Sequence, residues 1–237
     1  MSRLRLTYAA VIVLVTLITA CAHVIETAPE PAELQAPENF PRNAYEQAAA
    51  QGKPVYRVDP ARSLIAITVR RGGSLARYGH DHIIASHEVV GYISPEESRA
   101  DVYVLLNELV VDEQALRVEA GLNTQPSESD IAGTRANMLE KVLESQKFPF
   151  ALISVNVLEK TQSGMKLSVA ITLHGVTRTF EVPTQLETTG AEMGVSGLIE
   201  FNQSDFGIVP FSVLGGAIRV EDLVSLRFKI SARRSSR

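Results

Sequence analysis

The chain of 237 residues has no tryptophan and a single cysteine, Cys21. One cysteine excludes an intrachain disulfide, so the fold must rest on its core. Basic residues are in deficit, 23 Lys and Arg against 27 Asp and Glu, for a net charge of −4. A mildly acidic chain is a poor partner for nucleic acid. Glycine-rich phosphate loops are missing, since Gly72-Gly73 and Gly215-Gly216 read as turns. No G-x-S-x-G elbow is present to expose a nucleophilic serine. A comfortable bilayer span is also lacking. The longest apolar run, Tyr8–Ala20, falls short of the roughly 20 residues that a membrane helix needs.

What is present begins with that run. Arg3 and Arg5 precede it, and residues 1–20 hold no acid. A short basic region followed by an apolar core is the pattern of an export signal. Ile18-Thr19-Ala20-Cys21 resembles the bacterial lipobox, which implies cleavage before Cys21 and its lipidation. An ordinary signal peptide or an uncleaved anchor are the other readings. Several acyl chains, at roughly 0.8 kcal/mol per buried CH₂, would hold the protein on a membrane. Ala22, where retained lipoproteins of the enteric type carry Asp, resembles the sorting pattern for the outer membrane. The expected location is therefore the cell envelope, on the periplasmic face of the outer membrane. Removing residues 1–20 takes away two basic residues and leaves 21 against 27, a charge of −6.

Residues 21–53 read as the lipidated cysteine and a flexible tether. Pro29, Pro31, Pro37 and Pro41 sit among Ala and Glu, and too little apolar surface is present to offset the ordering entropy. Asn43–Gln51 has the composition of a short helix. From residue 54 to 234 the texture is that of one β domain. Met165, Leu167, Val169, Ile171 and Leu173 alternate with polar residues, as do Val224, Leu226, Phe228 and Ile230. Similar segments lie near 63–71, 83–93, 100–107, 150–159, 176–187 and 193–203. About eight one-sided strands with short connections predict an antiparallel sheet closed into a barrel. One α-helix is inserted, over Glu128–Gln146. Its apolar stripe is Met138, Leu139, Val142 and Leu143, and Phe148-Pro149 stops it. Such a helix suits a plug for one barrel mouth.

Five motifs occur in order: Tyr56-Arg-Val-Asp59 with Ser63-Leu-Ile, the pair Gly79 and Gly91, Phe148-Pro149-Phe150, Leu173-His-Gly-Val-Thr177 and Ser204-Asp-Phe-Gly-Ile208. Together they resemble the YceI-like family of periplasmic, lipocalin-like, polyisoprenoid-binding proteins. The resemblance spans Val55 to Arg233. It implies an eight-stranded lipocalin-like barrel around an apolar tunnel, holding a quinone tail or polyprenyl chain without chemistry. The candidate lining is Ile65, Ile67, Val69, Val169, Ile171, Phe206 and Phe211. No cofactor is required beyond the bound isoprenoid.

One motif departs from the family pattern. Gly79-His80-Asp81-His82 stands where many members have glycine followed shortly by phenylalanine. Histidines two apart on a strand share a face. Three readings stay open. The imidazoles are structural; or Arg77, His80 and His82 hold a ligand head group; or His80, His82 and His174 bind Zn²⁺ with water in the fourth position. The last reading, with Glu88 as base, defines an alternative: a metal-dependent hydrolase. A solidly packed barrel acting as an interaction protein is a further alternative. Glu96-Glu97 reads as solvated surface. The basic edge Arg227, Lys229, Arg233, Arg234 and Arg237 reads as a solvated strand face, with anionic lipid head groups as its other possible partner.

Overall fold

The computed structural model describes residues 36–235 apart from Ser163. Cys21 and the export signal lie outside the described residues. Pro37–Arg237 is one compact unit, so the folded part starts ahead of residue 54, within the expected tether. Helix α1 (Arg42–Ala50) buries Tyr45 and Ala48. Tyr45 stacks on Tyr92 with ring centroids 5.3 Å apart. Its hydroxyl donates to Asp101 Oδ2 at 2.7 Å. That buried carboxylate also accepts from Arg99 Nε and Ser154 Oγ, each at 2.7 Å. Burial, reinforced by the bond to Asp101, pushes the Tyr45 phenol well above its ordinary pKa.

The strands are β1 (Tyr56–Val58), β2 (Leu64–Gly72), β3 (His82–Ser86), β4 (Val89–Ser94), β5 (Arg99–Leu105), β6 (Val110–Val111), β7 (Phe150–Lys160), β8 (Gly164–Leu173), β9 (Val176–Thr189), β10 (Glu192–Asn202), β11 (Ser212–Val213) and β12 (Ile218–Arg234). All pair antiparallel. β12 pairs β2 through Arg219–Lys229 and β1 through Ala232–Arg234. β1 and β2 are thus one stave, broken by the turn at Pro60–Arg62. β3 pairs β2, and β4 pairs β1, so these two form the next stave. β5 with β6 makes a third. β7, β8, β9, β10 and β12 complete a closed barrel of eight staves. Closure satisfies the backbone groups that an open edge would leave unpaired.

Local departures from the expected strands have physical causes. The segment near 83–93 is split at His87-Glu88, which are exposed, because its halves serve different partners. The inserted helix is shorter than expected. α3 (Glu128–Asn137) starts with a capping box at Ser127, which accepts from Asp130 N while Asp130 accepts from Ser127 N. A π-helical turn, Met138–Val142, follows it. Glu144, at φ 45°, ends the run. A further helix, α2 (Gln114–Glu119), has no counterpart in the sequence expectations.

Inside the barrel, the alternation of β8 and β12 places Leu167, Val169, Ile171 and Val224 in one buried cluster with Val182, Ile199, Phe201, Phe206 and Ile208. One seam of the wall is different. β9 and β10 pair from Thr189↔Glu192 to Thr184↔Gly197 and no further. Yet β9 begins at Val176 and β10 runs on to Asn202. Phe180, Phe201 and Phe206 fill the unpaired stretch, with centroids 5.8, 6.4 and 5.2 Å apart. Side-chain packing thus replaces a hydrogen-bond ladder. Phe206 is fully buried, so Phe206→Ala is expected to cost about 3–5 kcal/mol, read as a fall in the urea midpoint. A change under 1 kcal/mol would show that the seam does not depend on it.

Candidate functional site

A cavity of about 370 Å³ occupies the barrel interior. At one end it reaches the turns that carry Ser94, Pro95, Ser98, Arg99, Lys160 and Thr161. At the other it stops among Leu106, Leu109, Leu143 and Leu173. Leu143 follows the π-helical turn, so the segment after α3 caps this end, in keeping with the expected plug. The wall is built from the inward parity of the staves. All five alternating apolar residues of β8, Met165 to Leu173, lie on it. Ile65, Ile67, Leu226, Phe228 and Ile230 face them from β2 and β12. Among the described residues, Arg99 and Lys160 are the only charged ones in the lining, and both stand at the turn end. No histidine or carboxylate among the described residues lines the cavity.

Of the expected lining residues, Ile65, Ile67, Val169 and Ile171 are on the wall. Three are corrected. Val69 and Phe206 pack into the core instead. Phe211 lies in the loop before β11, where the Lys141 ammonium sits 5.8 Å from its ring centroid. Parity set their face correctly for β2, but depth along the barrel axis placed Val69 past the cavity.

The histidine motif lies toward the capped end and outside the cavity lining. His82 is held by a carboxylate from a distant segment: its Nδ1 is 2.6 Å from Asp112 Oδ2. A carboxylate only accepts, so Nδ1 carries the hydrogen. Asp112, at φ 60°, also accepts from Ile83 N at 3.0 Å and from Arg117 of α2. The Arg117 guanidinium donates onward to Asp81 O at 2.9 Å and to Thr124 O. Burial pushes the Asp112 pKa up, but the bonds from His82, Ile83 N and Arg117 outweigh it and hold it below the usual carboxylate range. Asp112 and Arg117 were absent from the sequence expectations. No local spacing links them to His82, thirty residues upstream of Asp112.

His80 stands beside His82, with ring centroids 6.2 Å apart. Its Nε2 is 3.9 Å from Asp130 Oδ2. Asp81 turns the other way, to Arg70 Nη1 at 3.1 Å and Arg71 N at 2.9 Å. The expected third metal ligand, His174, is a correction. It sits at φ 53° in the β8–β9 turn, with Nε2 2.8 Å from Glu144. Glu88 lies at the exposed bend between β3 and β4. Among the described residues, no three His, Cys, Asp or Glu side chains are arranged to hold a metal ion. The donor set around the motif therefore does not fit zinc. Arg77, the third head-group candidate, lies against its neighbour Tyr78, 4.5 Å from that ring's centroid.

A closed antiparallel barrel with an apolar interior defines a class of barrels that enclose a cavity. Comparison narrows the class. The YceI-like domain model matches residues 56–232, and the chain belongs to the YceI-like family. A polyisoprenoid binding domain from Saccharophagus degradans, implicated in plant cell wall breakdown, is similar in structure. It has a TM-score of 0.54 and 14% identity, over 76% of this chain and 98% of that one. Burkholderia cenocepacia BcnA superposes with a TM-score of 0.51 and 13% identity, over 73% of this chain and 98% of its own. At such identities the likeness shows the fold alone. No relative matches among curated proteins.

The Asp112 cluster makes a pH prediction. The folded carboxylate titrates below its unfolded value of about 3.9. Its stabilisation is therefore complete above about pH 4 and is lost as pH falls through the folded value. Asp112→Asn leaves Arg117 buried without its counter-charge and should cost about 3–5 kcal/mol at pH 7. The variant should also lose stability less steeply than the parent between pH 5 and the acid limit (about pH 2). Urea midpoints across that range check both; equal slopes would assign the acid sensitivity to other carboxylates.

Proposed function

We propose that this protein is a membrane-anchored, non-catalytic binder of a polyisoprenoid, either a quinone tail or a polyprenyl chain. The observation that carries this reading is the interior cavity, largely aliphatic and with Arg99 and Lys160 at one end. A polar substrate would lose its hydration there without compensation. An apolar chain gains about 0.8 kcal/mol for each buried methylene. The membership of a YceI-like family and the polyisoprenoid-binding relative supply the ligand class. A solid interaction barrel is disfavoured by the cavity, and the hydrolase by the scattered ligands. The Cys21 anchor and an envelope location follow from the export pattern, with the tether setting the domain's distance from the bilayer.

Native mass spectrometry of the protein purified from a bacterial envelope should show an adduct that resolves into a prenyl lipid. Ile171→Trp, which fills the cavity, should lower uptake of geranylgeraniol at least tenfold. Its cost in stability should stay within the roughly 1–3 kcal/mol of overpacking. A folded Ile171→Trp protein with undiminished uptake would place the ligand elsewhere. For the anchor, Cys21→Ser should abolish the lipid mass increment. An unchanged increment would mean that Cys21 is not the attachment site. Among the described residues no helix is long and apolar enough to cross a membrane.

A further inference from the structure

The alternation that builds the cavity wall places one hydroxyl on it away from the turn end. Cross-strand partners share a face of a sheet. Ser86 closes β3 opposite Ile65, and Ile65 lies opposite Phe228 of β12. All three are wall residues of the cavity. Ser86 is 1% exposed, and its Oγ has no hydrogen-bond partner among the described residues. Ser94 is as deeply buried and is also unpartnered, but it belongs to the other face. It shares the parity of Tyr92, whose ring stacks on Tyr45 of α1 outside the barrel.

Ser86 stands on the inner half of the cavity. The bend at His87-Glu88 and the whole of β4 separate it from the turn end, where Ser94 pairs Arg99. Two residues the other way, Ile84 packs with Leu106 and Leu109, which close the inner end. A buried hydroxyl without a partner is costly, and a bare hydrocarbon chain drawn past it would leave it so. A ligand with an oxygen at its leading end satisfies it. The charge of that end is restricted by what else lines the wall. Arg99 and Lys160 stand at the opposite end, so a phosphate or carboxylate at Ser86 would exchange its hydration for one neutral hydroxyl. An alcohol or carbonyl oxygen needs only one hydrogen bond there, and a serine hydroxyl can both donate and accept.

We propose that Ser86 Oγ is a hydrogen-bonding station inside the barrel for a neutral oxygen. The ligand enters with its oxygen-bearing end first, and its hydrocarbon chain trails toward the turn end. The inference rests on the reading of the barrel as a prenyl binder and adds to it the orientation of the chain and the chemistry of its polar end.

The test uses the full-length protein, freed of bound lipid, with three probes: geranylgeraniol, the matching hydrocarbon without the hydroxyl, and the prenyl ketone farnesylacetone. In Ser86→Ala the affinity for geranylgeraniol relative to the hydrocarbon should fall about tenfold, the effect of one neutral hydrogen bond. The hydrocarbon should bind the variant at least as tightly as the parent. The infrared carbonyl stretch of bound farnesylacetone should lie lower in the parent than in Ser86→Ala, where the bond that lowers it is gone. The ligand-free variant should unfold at a urea midpoint no lower than the parent's, since the hydroxyl it loses has no partner in the protein. A relative affinity unmoved by the substitution overturns the station, as does a carbonyl stretch at the same frequency in both proteins. A lowered midpoint also overturns it, because the hydroxyl would then be bonded within the protein. In each of these cases the barrel still takes up the hydrocarbon chain. If neither geranylgeraniol nor the hydrocarbon binds the parent, the reading of the barrel fails together with the station.

Discussion

A sheet that closes on itself has an inside and an outside, and every other side chain must belong to each. Burial of the inner set drives this barrel to form, and ring closure of backbone hydrogen bonds lets it stay closed. The longest strand, Ile218–Arg234, enforces both. It pairs the β1–β2 stave along one edge and β10 along the other. Its inward Leu226, Phe228 and Ile230 form part of the cavity wall. The polar clusters are fastenings added to this frame. Asp101 ties α1 to the outer face, and Asp112 ties α2 and the β6 end to β3.

The interior is a cavity because its wall is largely aliphatic. Medium aliphatic side chains from opposite staves leave space between them. Phe201 borders that space, and beyond it, around Phe180 and Phe206, packed rings take its place. The same rings stand in for the missing β9–β10 ladder. Large side chains thus close both the end of the cavity and the seam of the wall.

Much of the fold was legible in the sequence because period-two alternation reports directly on one-sided burial. Met165–Leu173 and Val224–Ile230 show this, and the eight-stave closure followed from their number and spacing. Alternation specifies a face and says nothing about depth, so Val69 shared the parity of Ile65 and Ile67 but not their place on the cavity. Phe206 ends a 3₁₀ turn and Phe211 lies in a loop, where strand parity has no meaning. The histidine motif showed two imidazoles on one face. Their partners, Asp112 and Asp130, come from two other segments, and only the tertiary fold could select them over His174. The proposed prenyl ligand rests on resemblance, since an apolar wall alone does not name the chain that would fill it.

The pairing of Tyr56 with Arg234 has a consequence for how the molecule comes to exist. These residues bound the whole sheet, so the ring shuts only when the final strand is available. Non-local closures of this kind are slow, because loop entropy is lost before the contacts form. A chain emerging from a ribosome with its N-terminus first cannot complete this barrel early. Delayed closure leaves the earlier strands with an open edge until the last one is in place.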